Sequence, residues 1–164
     1  MPETDKIVIN TGPILALIAG LGDLNILNFL YKRVIVPYEV CEEITAGGST
    51  GFGVREFNDA NFLIKINKPA IIQPYLHNSL DSGESSVIQT ALDENIQTVC
   101  IDETVGRRIA RLNGLTLTGS LGIMIRAKKE GHSFVLKNAI DTMQAQGIRL
   151  SEQIITFALN QVGE

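Results

Sequence analysis

The stretch Thr98-Val99-Cys100-Ile101-Asp102-Glu103-Thr104-Val105-Gly106-Arg107-Arg108-Ile109-Ala110-Arg111 decides the fold class of this 164-residue chain. Thr98 to Ile101 is short and uncharged, as strands buried on both faces of a parallel sheet are. From Glu103 the spacing predicts a helix to Asn113, with Gly114 as its stop signal. The same alternation extends both ways. Upstream, Asp81-Ser82-Gly83-Glu84 opens a helix to about Glu94, with Val87, Ile88, Ala91 and Leu92 on one face. Downstream, Leu115-Thr116-Leu117 reads as a strand and Ser120 to Lys129 as a helix. At the start, Lys6 to Ile9 reads as a strand ended by Asn10-Thr11-Gly12-Pro13, then a helix through Ala19 that Gly20-Leu21-Gly22 stops. A second helix follows Asp23. Arg33 to Val36 is a second strand, and Tyr38 to Thr45 a helix with Val40, Cys41 and Ile44 inward. Val54 to Ala60 suggests a short helix, Phe62 to Ile66 an extended segment and Gln73 to Leu80 a connection.

Strands alternating with helices predict an α/β fold with a parallel sheet. Residues 134–146 and 150–162, split by Gly147, read as two amphipathic helices. The chain is therefore expected to divide into a sheet domain over 1–133 and a C-terminal helical extension over 134–164. The stripe Ile154, Ile155, Ala158, Leu159 and Val162 is expected to pack back on the domain, with a homodimer face as the alternative.

Composition narrows the classes. Apolar residues make 45% and charged residues 20%, which excludes disorder and coiled coil. The apolar stretch Ile14 to Leu21 is far short of the ~18 residues of a membrane span. The acidic start Met1-Pro2-Glu3-Thr4-Asp5 lacks a basic n-region, so a cytoplasmic protein is expected. Cys41 and Cys100 read as reduced thiols rather than a staple. A net charge of −4 argues against phosphate binding by the whole surface, though not by a local basic strip. The glycines of residues 46–53 have no following Lys-Ser/Thr, and Thr11-Gly12-Pro13 has no G-x-G-x-x-G pattern, so a nucleotide-binding loop is not expected.

In an open parallel sheet, ligands bind beyond the carboxyl ends of the strands. Asn10 follows the first strand, and Asp102 and Glu103 follow strand 98–101. Glu43 sits on the helix after the second strand, and Glu84 on the first turn of the helix before strand 98–101. Oxygen donors from four segments, without Cys or His, suit a hard cation such as Mg2+ or Mn2+. Each also has a plain structural role. Asn10 and Asp102 are good helix caps, Asp81 and Glu84 match a capping box, and Glu103 suits the positive end of a helix. Arg107, Arg108 and Arg111 follow at once; guanidinium forks suit phosphate oxygens, and surface arginines equally pair with local carboxylates. No aromatic residue interleaves with them in the sequence, so no base-stacking platform is expected.

The start Ile7-Val8-Ile9-Asn10-Thr11-Gly12-Pro13-Ile14-Leu15-Ala16-Leu17 resembles the opening of PIN domains. So do Val34-Ile35-Val36-Pro37-Tyr38-Glu39-Val40-Cys41-Glu42-Glu43-Ile44, Gly83-Glu84-Ser85-Ser86-Val87-Ile88 and Cys100 to Ala110. Leu117 to Gly122 and the final Val162-Gly163-Glu164 look like an uncharacterised prokaryotic branch related to VapC-type toxins. The resemblance implies a three-layer α/β/α sandwich in which acidic residues bind Mg2+ or Mn2+ and cut RNA. By position, Asn10 stands where the family has its first aspartate, Glu43 matches the helix glutamate, and Glu84 stands where many members have aspartate. The last acid falls on Asp102 or Glu103, with Asp102 favoured. The resemblance also implies RNA and an antitoxin protein as partners. Asn10 departs from the pattern, since an amide oxygen can ligate a cation but brings no charge. A catalytically silent binding module is the alternative reading.

Overall fold

A computed structural model describes residues 5–164; the acidic start Met1 to Thr4 lies outside the described residues. Among these, five strands form one sheet, β1 (Lys6–Ile9), β2 (Arg33–Val36), β3 (Ile64–Lys65), β4 (Thr98–Cys100) and β5 (Thr116–Thr118), in the order β3-β2-β1-β4-β5. Every pairing is parallel. Ile7 stands opposite Val34, Ile9 opposite Cys100, and Cys100 opposite Thr118. Ile7, Val8 and Ile9 are fully buried, as a central strand covered on both faces requires. The chain leaves β1 toward β2 on one side and returns to β4 on the other. The switch point of the sheet therefore lies between the ends of β1 and β4, beside Asn10 and Asp102.

Helices cover both faces and complete the three-layer α/β/α sandwich. α1 (Thr11–Leu21), α2 (Asn25–Leu30), α8 (Ser120–Lys129), α9 (Leu136–Ala145) and α10 (Glu152–Gln161) pack on one another. α5 (Pro74–Ser79), α6 (Ser82–Asp93) and α7 (Thr104–Leu112) form a second set around α6. α3 (Tyr38–Thr45) touches both α1 and α6, and α4 (Val54–Asp59) leans on α3. α3 thus brings Glu43 to the place where the two layers meet.

Several expectations are corrected. The helix after β1 starts at Thr11 and runs through Gly20; only Gly22, at φ 83°, ends it. Gly20 is a packing position: a Cβ there would stand 2.8 Å from Met143 Cγ and 3.2 Å from the Ala139 carbonyl. Its bareness lets α9 close on α1. The connection 73–80 contains α5, a helix with Pro74 in its first turn and Leu76 buried. Of the extended segment 62–66, only Ile64 and Lys65 form a strand, and the Ile66 amide adds one more bond to the Val36 carbonyl of β2 at 3.0 Å. Cys41 is half-buried rather than inward, and Cys100 is fully buried; both are free thiols.

The expected boundary at residues 133 and 134 falls between α8 and α9. Leu136, Ala139, Ile140 and Met143 of α9 are buried. On α10, Ala158 is buried and Ile155, Leu159 and Val162 are half-buried, but Ile154 is 51% exposed and leaves the expected stripe. The Glu164 carboxylate accepts the amides of Leu136 and Lys137 at 2.8 and 2.9 Å and pairs with Lys128 at 3.0 Å.

Candidate active site

Asn10 ends β1, and its amide donates to the Cys100 carbonyl at 3.0 Å. It occupies the cap position of α1, yet its side chain makes no capping hydrogen bond. The helix-cap role therefore does not account for this buried amide. Thr11, the next residue, donates its hydroxyl to Glu43 Oε2 at 3.1 Å and so fixes that carboxylate from across the switch point. Asp81 caps α6, accepting the Glu84 amide at 2.8 Å.

These three oxygens face one bare glycine. A Cβ on Gly83 would lie 2.8 Å from Glu43 Oε2, 3.4 Å from Asn10 Oδ1 and 3.5 Å from Asp81 Oδ1. The space a side chain would fill is left to the oxygens. Asp81 was expected only as a cap. The clue to its second placement was its position two residues before Gly83, on the turn that carries Glu84.

Glu84 is buried, and its Oε2 lies against Gly106 of α7, 2.5 Å from where a Cβ would stand. Burial, a contact with the Asp81 carboxyl, and the charges of Asp81 and Glu103 push its pKa from the ordinary 4.5 up to about 7. Asp102 is exposed at the end of β4. Ser120 donates its amide to Asp102 Oδ1 and its hydroxyl to Oδ2, both at 2.9 Å. Asp102 thus ties β4 to the start of α8. Glu103 is exposed at the cap of α7, without a capping side-chain bond.

The three arginines separate. Arg107 donates to the carbonyls of Ile101 at 2.8 Å and Thr118 at 3.3 Å, clasping the ends of β4 and β5 beneath Asp102. Arg108 and Arg111 are exposed, and among the described residues no ion pair engages them. Nor does any ion pair there engage Glu43, Asp81, Glu84, Asp102 or Glu103. A groove of about 550 Å³, lined by Tyr38, Glu39, Glu42, Glu43 and Asp81 among others, opens beside the cleft.

A protein-family model described as a PIN domain matches residues 6–164. The chain belongs to the PIN domain family. A search of curated proteins finds no match. The PIN domain is a nuclease-type fold, and its cleft here is the carboxyl end of β1 and β4.

The residues of this PIN domain fit a small hard cation in kind. The donors are all oxygen, they meet over the bare Gly83, and among the described residues no ion pair engages the acids. Burial, then the neighbouring acids Asp81 and Glu103, push the Glu84 carboxyl up to about 7, and among the described residues no ion pair offsets this. They do not form a closed cage. Among the described residues, no three His, Cys, Asp or Glu side chains are gathered into a group that could hold a metal ion. Asn10 supplies one of the three oxygens at Gly83, and Asp102 stands apart on Ser120. Each Asp102 oxygen still keeps a second lone pair beyond its bond to Ser120.

Proposed function

We propose that this PIN domain is a divalent-cation-dependent endoribonuclease, the VapC-like toxin of a toxin–antitoxin pair. The observation that supports it best is the meeting of Asn10, Glu43 and Asp81 oxygens over Gly83, beside the buried Glu84. Mg2+ or Mn2+ would be held by Asn10, Glu43, Asp81 and Glu84, with Asp102 or Glu103 reaching in from the end of β4. When bound, the cation supplies Lewis acidity, activating water and offsetting charge that gathers on the cleaved phosphate.

The chain's own residues do the positioning. Thr11 holds the Glu43 carboxylate in place, and Ser120 holds Asp102. Burial and the acidic neighbours push Glu84 up to about 7 while no cation is bound, so taking up the cation releases the proton that Glu84 holds. Arg108 and Arg111 stand free to meet phosphate oxygens. An antitoxin protein would shield the acidic groove beside Glu42 and Glu43.

Two observations favour a second reading. Asn10 brings no charge, and Asp102 spends a bond from each oxygen on Ser120, as in a fold that grips RNA without cutting it. Cleavage of a labelled single-stranded RNA decides between them. The enzyme cuts with Mn2+ or Mg2+, stops in EDTA, and fails as Glu84→Gln. Cleavage unaffected by EDTA contradicts the cation-dependent reading. Binding without cleavage under any divalent cation establishes the module.

A further inference from the structure

α7 has an open face with two unlike edges. At ~100° per residue, Val105 and Leu112 fall about 20° apart on the helix, with Arg108 some 40° beyond and Arg111 further still. Val105 is 51% and Leu112 77% exposed, so the apolar strip is bare. The arginine edge beside it has no ion pair among the described residues.

The chain adds an aromatic ring to the apolar side. Tyr75 of α5 lies far away in sequence, but its hydroxyl donates to Asn113 Oδ1 at 2.7 Å. Asn113 in turn donates its side-chain amide to the Ile109 carbonyl at 2.9 Å. The hydroxyl is therefore anchored while the residue stays 48% exposed. A ring fixed in place has little freedom to lose when a base stacks on it. Asn113 lies across the helix from Arg111, which places Tyr75 on the apolar edge rather than the basic one.

A single strand of nucleic acid has the same two edges, bases on one and phosphates on the other. We propose that this face of α7, with Tyr75 as its stacking residue, is the track that leads single-stranded RNA to the acidic cleft. Phosphates meet Arg108 and Arg111, while bases lie along Val105 and Leu112 and stack on Tyr75. The track begins at the exposed Glu103, at the end of α7 nearest the cleft, and follows the helix for about 13 Å. That length is about four nucleotides at the ~3.4 Å rise of a stacked strand. The chain's net charge of −4 confines phosphate contact to such a local strip. The inference rests on the ribonuclease reading for its substrate.

Fluorescence anisotropy of a short labelled oligouridine, in EDTA so that nothing is cut, tests the track. Tyr75→Ala is expected to weaken binding about 5- to 100-fold, the usual range for a lost base stack. Tyr75→Phe, which keeps the ring and loses its anchor on Asn113, is expected to weaken it by only about two- to threefold. Arg108→Ala and Arg111→Ala are each expected to flatten the salt dependence, log K against log salt, by about 0.7. Leu112→Asp, at a position without a folding role, is expected to weaken binding about tenfold. It keeps the test open should Tyr75→Ala fail to fold. Wild-type affinity in Tyr75→Ala or Leu112→Asp overturns the track. So does equal loss in Tyr75→Ala and Tyr75→Phe. Wild-type protein that binds through this face yet cuts nothing with Mn2+ leaves the track standing and removes the nuclease. Cleavage with all variants binding normally removes the track alone.

Discussion

Ser120 grips both oxygens of Asp102, one through its amide and one through its hydroxyl, each at 2.9 Å. An orienting partner of this kind fixes a carboxylate without exhausting its lone pairs. Ser120→Ala keeps the amide bond and loses the hydroxyl bond. It should lower Mn2+-dependent cleavage about 10- to 100-fold, as lost outer partners commonly do, with a stability loss of about 1 kcal/mol. Cleavage rates together with thermal melts separate the two effects. Full activity in Ser120→Ala would remove Asp102 from the site.

Gly83→Ala makes a sharper demand. The new Cβ would stand 2.8 Å from Glu43 Oε2 and 3.4 Å from Asn10 Oδ1, so the oxygens must part. Alanine also suits a helix better than glycine by up to ~1 kcal/mol. The expected outcome is a melting temperature near wild type with Mn2+ binding reduced tenfold or more. Calorimetric titration with Mn2+ checks it.

Glu84 gives the fold a pH dependence of known sign. Its carboxyl titrates at about 7 in the folded chain against an ordinary 4.5, so the folded state holds the proton more tightly. The associated stability is fully present below pH ~4.5 and is lost as pH rises through about 7. Melting temperatures in EDTA should fall across that window, and Glu84→Gln should flatten the fall. Stabilisation by added Mn2+ should grow over the same window, because the cation needs the ionised carboxylate.

Asn10→Asp restores a charge at a position only 6% exposed. Without a cation, the new carboxylate faces Glu43 and Asp81 and should lower the melting temperature by several degrees. With Mn2+ the loss should reverse, and cleavage should rise by tenfold or more. An unchanged Mn2+ affinity would show that Asn10 does not face the cation.

The fold was legible where a short strand is uncharged, as Thr98–Cys100 is, and where a helix carries a stop signal, as Gly22 and Gly114 do. α5 was missed because a helix of six residues with one buried side chain, Leu76, has too little periodicity to show. Gly20 was read as a helix stop, since only the closure of Met143 and Ala139 on it reveals a packing position. The oxygen donors were found by their places at strand ends and first helix turns. Asp81 was read as a cap, which it is, but its second placement at Gly83 depends on α3 and β1 arriving from elsewhere. Tyr75 could not be joined to Arg108 and Arg111 from spacing at all. Tyr75 reaches the other edge of α7 because α5 packs on α6, α6 packs on α7, and one hydrogen bond spans the gap to Asn113.

Anomalous diffraction from a crystal soaked in Mn2+ tests the central claim most directly. The account predicts a peak above Gly83, at ordinary metal–oxygen distances of about 2.0–2.4 Å from Glu43 Oε2 and Asn10 Oδ1, with Glu84 or Asp81 completing the contact. A crystal with Mn2+ only on surface carboxylates, and none in that cradle, contradicts it.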